Sequence, residues 1–76
     1  MKQLVEDLAR ALVDRPEEVV VRETAAEHGV TLELKVAESD LGKVIGKQGR
    51  TARSIRTLVG AASAKAKRRH VLEILE

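Results

Sequence analysis

The amino-acid sequence predicts an α+β fold in which helices cover one face of a three-stranded sheet. Three features of the sequence support this fold class. Apolar residues recur at three- and four-residue spacing in two long segments, they alternate with polar residues in a third, and two glycines interrupt a helical region. The predicted order of elements is α-β-β-α-α-β, in one domain that spans residues 1–76.

The first predicted helix lies near the N-terminus. Its apolar residues follow helical spacing from Leu4 to Leu12, and charged residues lie between them. We expect this helix to end near Arg15, because Pro16 disfavours helical backbone in the residue before it.

The next two elements are predicted strands. Residues 17–25 contain Val19-Val20-Val21 and Thr24, whose β-branched side chains suit a pleated surface. His28-Gly29 marks a turn, and residues 30–36 then alternate between apolar and polar side chains. This alternation predicts a strand with one apolar and one polar face.

Two helices and a third strand are predicted in the second half of the chain. Ser39-Asp40 is expected to cap a short helix over residues 41–45, and the glycines of residues 46–49 separate it from a longer helix over residues 50–67. The apolar stripe of the longer helix consists of Ala52, Ile55, Val59, Ala62 and Ala66. Residues 70–75, rich in Val, Leu and Ile, are expected to complete the sheet.

The composition argues against several classes of function. The absence of cysteine excludes disulfides, thiolate nucleophiles and cysteine-based zinc sites. His28 and His70 lack further ligands at metal spacing, and no nucleophile lies beside a base, so we expect no metal, no cofactor, no small-molecule substrate and no catalysis. No signal peptide or membrane-spanning segment can be drawn, so we expect a soluble, cytoplasmic protein that does not contact membranes.

Charge is divided unequally along the chain. Residues 1–40 hold five Lys/Arg and ten Asp/Glu, a net charge of −5, whereas residues 41–76 hold nine Lys/Arg and two Asp/Glu, a net charge of +7. No acidic residue occurs from Leu41 to Leu72. Such a segment creates a local positive field that favours an anionic partner.

The segment Gly46-Lys47-Gln48-Gly49 is the strongest candidate for a binding site. Glycines allow tight turns and close approach of another chain, and the helix that follows presents free backbone N–H groups and a positive dipole end. Lys47 and nearby basic residues add full charges, so the segment is suited to a phosphate group. The spacing of the glycines matches neither a P-loop nor a dinucleotide-binding fingerprint.

Residues 44–50, Val-Ile-Gly-Lys-Gln-Gly-Arg, resemble the I-G-x-x-G core of the KH domain, whose loop clamps the backbone of about four nucleotides. The order of elements resembles the type II (prokaryotic) arrangement of that domain. Residues 11–16 and 32–37, Ile55-Arg56-Thr57 and the Glu-Ile-Leu at residues 73–75 extend the likeness over nearly the whole chain. The sequence is therefore similar to the small bacterial single-KH proteins of the KhpA family.

This resemblance implies non-catalytic binding of single-stranded RNA in the bacterial cytoplasm. It also implies self-association, or pairing with a larger RNA-binding protein that carries its own KH domain. By position, residues 46–49 would face the nucleotide backbone, Ile45 would line the floor of an aliphatic groove, and Arg50 and Arg53 would bind phosphates. The residues expected at the RNA interface are Gly42, Lys43, Ile45, Gly46, Lys47, Gln48, Gly49, Arg50 and Arg53.

Alternatives remain open at three points. The chain could be a protein–protein adaptor that does not bind RNA, or it could bind single-stranded DNA. The basic cluster of residues 65–69 is better explained by complementing the dipole at a helix C-terminus than by a second RNA contact. Gly60, inside the long helix, is either a tolerated glycine or the point where a second subunit approaches closely.

Overall fold

A computed structural model describes residues 1–76 and confirms the predicted fold class and order of elements. The helices are α1 (Lys2–Leu12), α2 (Leu41–Ile45) and α3 (Arg50–Ala66), and the strands are β1 (Val20–Ala26), β2 (Gly29–Lys35) and β3 (His70–Ile74). Short 3₁₀ turns occupy Pro16–Glu18, Glu38–Asp40 and Lys47–Gly49. None of the helices is both long enough and apolar enough to cross a bilayer.

Strand β2 is the centre of a mixed sheet. It pairs antiparallel with β1, where Val21 lies opposite Leu34, and parallel with β3, where Leu34 lies opposite Ile74. Because β2 and β3 are parallel, the segment between them must run back from the end of β2 to the start of β3. Helix α3 forms most of this crossover and packs against β3. The N-terminus of α3 therefore lies towards the carboxyl ends of these two strands.

The core is aliphatic and lies between the helices and one face of the sheet. The alternation in β2 is confirmed, since Leu32 and Leu34 are both 0% exposed. From the stripe of α3, Ala52, Ile55 and Val59 are buried, whereas Ala62 is half-buried and Ala66 is exposed. The prediction was wrong for Ala66 because the last turns of α3 border an open depression with Met1 and Leu4 rather than the core.

Helix α1 ends earlier than expected, at Leu12 rather than near Arg15. Val13 is already extended, with φ −99° and ψ 161°, and β1 accordingly begins at Val20. The backbone N–H groups of Asp14 and Arg15 do not continue the helix, because they donate to the two carboxylate oxygens of Asp40 at 3.1 and 3.0 Å.

Asp40 does not cap α2 as expected. It occupies the N-cap position, but its side chain makes no capping hydrogen bond. An N-cap residue usually has extended backbone, whereas Asp40 ends a 3₁₀ turn with φ −99° and ψ −6°. Its carboxylate is 1% exposed and instead joins the start of α2 to the segment after α1.

We predict that Asp40→Ala lowers the free energy of unfolding by about 3 kcal/mol, because two backbone donors lose a charged acceptor. Asp40→Asn keeps one acceptor oxygen and should be intermediate. Urea denaturation followed by circular dichroism measures both, with exposed Glu17→Ala as the control expected to change stability by less than about 0.5 kcal/mol. Equal stabilities for Asp40→Ala and the control would contradict this account of Asp40.

Candidate nucleic-acid interface

The segment between α2 and α3 is a tight turn with an unusual backbone. Gly46, Gln48 and Gly49 all have positive φ, at 77°, 58° and 73°. The amide of Gly46 donates to the carbonyl of Gly42 at 2.8 Å, and the amide of Gly49 donates to the carbonyl of Gly46 at 3.1 Å. These bonds hold the turn, which we call the GKQG loop (residues 46–49), in one compact shape.

The two glycines of the GKQG loop are needed for different reasons. A Cβ on Gly46 would lie 2.7 Å from the Cβ and 2.8 Å from the backbone nitrogen of Thr51. A Cβ on Gly49 would meet no atom within 4 Å, so only its left-handed backbone favours glycine there. Gly46 is thus required by the first turn of α3, and Gly49 by the conformation of the loop itself.

The loop presents cations that have no anionic partner in the chain. Lys47 and Gln48 are exposed, and Arg50 and Arg53 lie exposed on the first turn of α3. The four ion pairs of the protein involve none of these residues. The one polar contact among them joins Arg50 Nη2 to Gln48 Oε1 at 3.4 Å. Together with the positive dipole end at the N-terminus of α3, they create a site suited to phosphate.

Lys43 differs from the other predicted cations because it is paired. Its ammonium donates to the Asp14 carboxylate and lies 3.8 Å from Asp40 Oδ1. The hydrogen bond that Lys43 donates to Asp14, with the charges of both carboxylates, raises the pKa of Lys43 above its ordinary value. Sequence reasoning treated Lys43 as a free cation, since its partner lies 29 positions away.

The aliphatic part of the predicted interface is open. Ile45 is half-buried at the end of α2, beside the fully buried Val44, and Gly42 is exposed. A depression of about 740 Å³ lies elsewhere and is lined by Leu41, Leu75 and several charged residues. A ligand at the GKQG loop would therefore lie on an exposed surface rather than in an enclosed cavity.

Arg56 extends the basic surface beyond the residues expected at the interface. It lies one turn after Arg53 on α3, and its Nε contacts the carbonyl oxygen of Leu72 in the edge strand β3 at 3.4 Å. The sequence indicates that Arg56 lies on the long helix, but it could not show that the side chain reaches the sheet. The basic residues thus run from the GKQG loop to the edge of the sheet.

The second basic cluster lies at the other end of α3, about 25 Å away for a helix of 17 residues. Arg68 Nη2 donates to the carbonyl oxygen of Ala26 at 2.9 Å, and Lys67 ends the helix with φ 55°. His70 Nδ1 lies 2.8 Å from the carbonyl oxygen of Arg68, and no cluster of metal-ligating side chains is present. Arg68 thus binds the end of β1 rather than the last carbonyls of α3, and the dipole interpretation of this cluster stays a prediction.

An α-β-β-α-α-β fold with an Ile-Gly-Lys-Gln-Gly turn between its second and third helices is a KH domain. The family model described as KhpA/KhpB, KH domain matches residues 2–74. The chain therefore belongs to the KhpA/KhpB family of KH domains.

Curated relatives match along almost their whole length. RNA-binding protein KhpA of Clostridium acetobutylicum is 56% identical over 75 residues, which cover 99% of this chain and 100% of that protein. RNA-binding protein KhpA of Halalkalibacterium halodurans is 53% identical, with full coverage of both chains. That of Borreliella burgdorferi is 49% identical over 97% of this chain and 90% of its own.

We predict that Gly46→Ala destabilises the protein by about 1–3 kcal/mol, because the new methyl group strains the backbone and collides with Thr51. Gly42→Ala is the matched control, since a Cβ there meets no atom within 4 Å and helix propensity favours alanine over glycine. Thermal unfolding followed by circular dichroism compares the two. Gly46→Ala melting at or above the temperature of Gly42→Ala would contradict the packing argument.

Proposed function

We propose that this protein binds single-stranded RNA without catalysing a reaction, and that the GKQG loop clamps the RNA backbone. The observation that carries the proposal is the loop itself, where unpaired cations surround a positive-φ turn at the N-terminus of a helix. The names of the KhpA relatives, which describe them as RNA-binding, support the choice of ligand. With RNA as its ligand, the protein acts in the cytoplasm.

The GKQG loop can hold the nucleotide backbone in two ways. A Cβ on Gly49 would point into open space, so its absence lets a ribose-phosphate chain approach the peptide backbone closely, whereas Gly46 allows the turn to pack against Thr51. Lys47, Arg50 and Arg53 then neutralise successive phosphates, and the positive dipole end of α3 adds to their attraction. Gly42, Ile45 and Gln48 complete the contact surface, with Ile45 against the bases.

The composition limits how bases can be recognised. With no Phe, Tyr or Trp, the protein cannot stack bases on aromatic rings as many single-strand binders do. Aliphatic contacts and hydrogen bonds to base edges must serve instead, over about four nucleotides. We therefore expect weak and permissive binding by one domain.

The proposal is tested by fluorescence anisotropy of a labelled random single-stranded RNA titrated with wild type and with Lys47→Asp/Gln48→Asp. We expect the double variant to lose binding, because two new carboxylates repel phosphates. For wild type, the logarithm of the association constant should fall by roughly 0.7 per phosphate contacted for each tenfold increase in salt concentration.

The control for this experiment is Lys65→Asp/Ala66→Asp, which makes the same change of three charges at the far end of α3 and should retain most of the affinity. Circular dichroism must show that all three proteins are folded. Equal binding by wild type and the loop variant would show that the RNA site lies outside the loop. Absence of binding by wild type would favour the adaptor function, and tighter binding of the matching DNA would favour DNA as the ligand.

We also propose that α3 pairs with a second KH domain, either in another copy of this chain or in a larger RNA-binding protein. The surface of α3 that faces away from the core carries small side chains around Gly60, namely Thr57, Ala61 and Ala64, and Leu58 beside them is 49% exposed. A Cβ on Gly60 would meet nothing within 4 Å in its own chain, so intramolecular packing gives no reason for the glycine. A second helix could approach closely at this point.

We predict that Gly60→Leu weakens self-association at least tenfold, because a bulky side chain prevents the close approach of two helices. Sedimentation equilibrium at low micromolar concentration measures this effect. Ala11→Leu, which adds a similar side chain to an exposed position of α1, is the control. A Gly60→Leu protein that remains dimeric at this concentration would place the interface elsewhere.

A further inference from the structure

We propose that Asp14 competes with RNA phosphate for Lys43 and so lowers the affinity of the interface. In the free protein the Asp14 carboxylate occupies the ammonium of Lys43, one turn before the GKQG loop. A phosphodiester that reaches α2 must displace this carboxylate to use the cation. The inference rests on the proposed RNA-binding function and adds a residue that limits it.

The geometry allows Asp14 to be displaced and Asp40 to remain. Both Asp40 oxygens accept backbone N–H groups, and the Asp40 side chain is 1% exposed, so this carboxylate is held in place. The Asp14 side chain is 77% exposed, and Lys43 is its only hydrogen-bond partner. Rotation of Asp14 towards solvent would therefore break one contact and leave the fold intact.

The backbone of Asp14 keeps its carboxylate near α2. Its N–H group donates to Asp40 Oδ1 at 3.1 Å, and the same oxygen lies 3.8 Å from the Lys43 ammonium. The Asp14 backbone and Lys43 are thus fixed to a common buried group. As a result, the carboxylate of Asp14 stays within reach of Lys43.

The energetic consequence is small but measurable. An exposed ion pair is weak, so a phosphate can replace it. The salt dependence of binding comes from cations that the RNA releases when its phosphates are neutralised, so a Lys43 that stays paired with Asp14 adds little to it. Lys47, Arg50 and Arg53 have no such partner, which makes Lys43 the one paired cation of the expected interface.

The test measures RNA affinity by fluorescence anisotropy for wild type, Asp14→Asn, Lys43→Met and the double variant. Asp14→Asn keeps the backbone bond to Asp40 but removes the charge. We expect it to bind single-stranded RNA several-fold tighter, up to roughly fivefold. We also expect the slope of the logarithm of the association constant against the logarithm of salt concentration to steepen by up to about 0.7, because Lys43 becomes a free cation.

The double variant separates competition from a general change in net charge. Asp14→Asn should increase RNA affinity more in the protein that keeps Lys43 than in the Lys43→Met background. Glu17→Gln, which removes a nearby exposed charge that is in no ion pair, should give a smaller gain than Asp14→Asn.

Two results would overturn the competition. One is an equal gain from Asp14→Asn in both backgrounds, and the other is an affinity for Asp14→Asn equal to that of wild type. If wild type binds RNA and the loop variant Lys47→Asp/Gln48→Asp does not, either result removes the role of Asp14 and leaves the proposed function standing. If wild type binds no RNA, both proposals fail together.

Discussion

The buried carboxylate of Asp40 connects parts of the chain that local sequence preferences would leave independent. Its two oxygens accept the N–H groups of Asp14 and Arg15, which stops α1 from continuing, and its backbone begins α2. The α1–β1 connection and the helix that leads into the GKQG loop therefore move as one unit. A small aliphatic core alone would not fix this geometry, because apolar packing is not directional.

The same carboxylate lies at the boundary between the acidic and basic halves of the chain. Residues 1–40 are net acidic, and the residues after them are net basic, yet the halves meet directly where Asp14 and Asp40 contact Lys43. After Asp40 the sequence contains no acidic residue until Glu73 in β3. The charge of Lys43 is thus balanced at the connection that Asp40 holds, whereas the cations at the GKQG loop have no anionic partner.

Local patterns were sufficient to predict most of the fold. The periodicity of α3 and the alternation of β2 depend only on neighbouring residues, and both elements were predicted to within one residue of their observed ends. The end of α1 and the capping role of Asp40 were predicted wrongly, because the bonds that decide them join residues 25 and 26 positions apart. The strand order of the sheet was not predicted at all, since it depends on which strands meet in three dimensions.

At the candidate site, too, features that depend on neighbouring residues were predicted and features that depend on distant residues were not. The need for glycine at residues 46 and 49 follows from local backbone geometry, and the sequence indicated it. The pairing of Lys43 with Asp14 and the contact of Arg56 with Leu72 involve distant parts of the chain and have no sequence signature. Each predicted interface residue was chosen for its type and position, and the structure adds which cations are free.

Helix α3 links the two proposed activities through its length. Gly60 lies ten residues after Arg50, which corresponds to about 15 Å along the helix axis. Two copies that cross antiparallel at Gly60 would hold their GKQG loops about 30 Å apart on a rigid support. A single RNA long enough to reach both loops would meet the second at high effective concentration, so avidity could compensate for the short contact of each domain. The separation of the two loops would then set a minimum length for an RNA that contacts both domains.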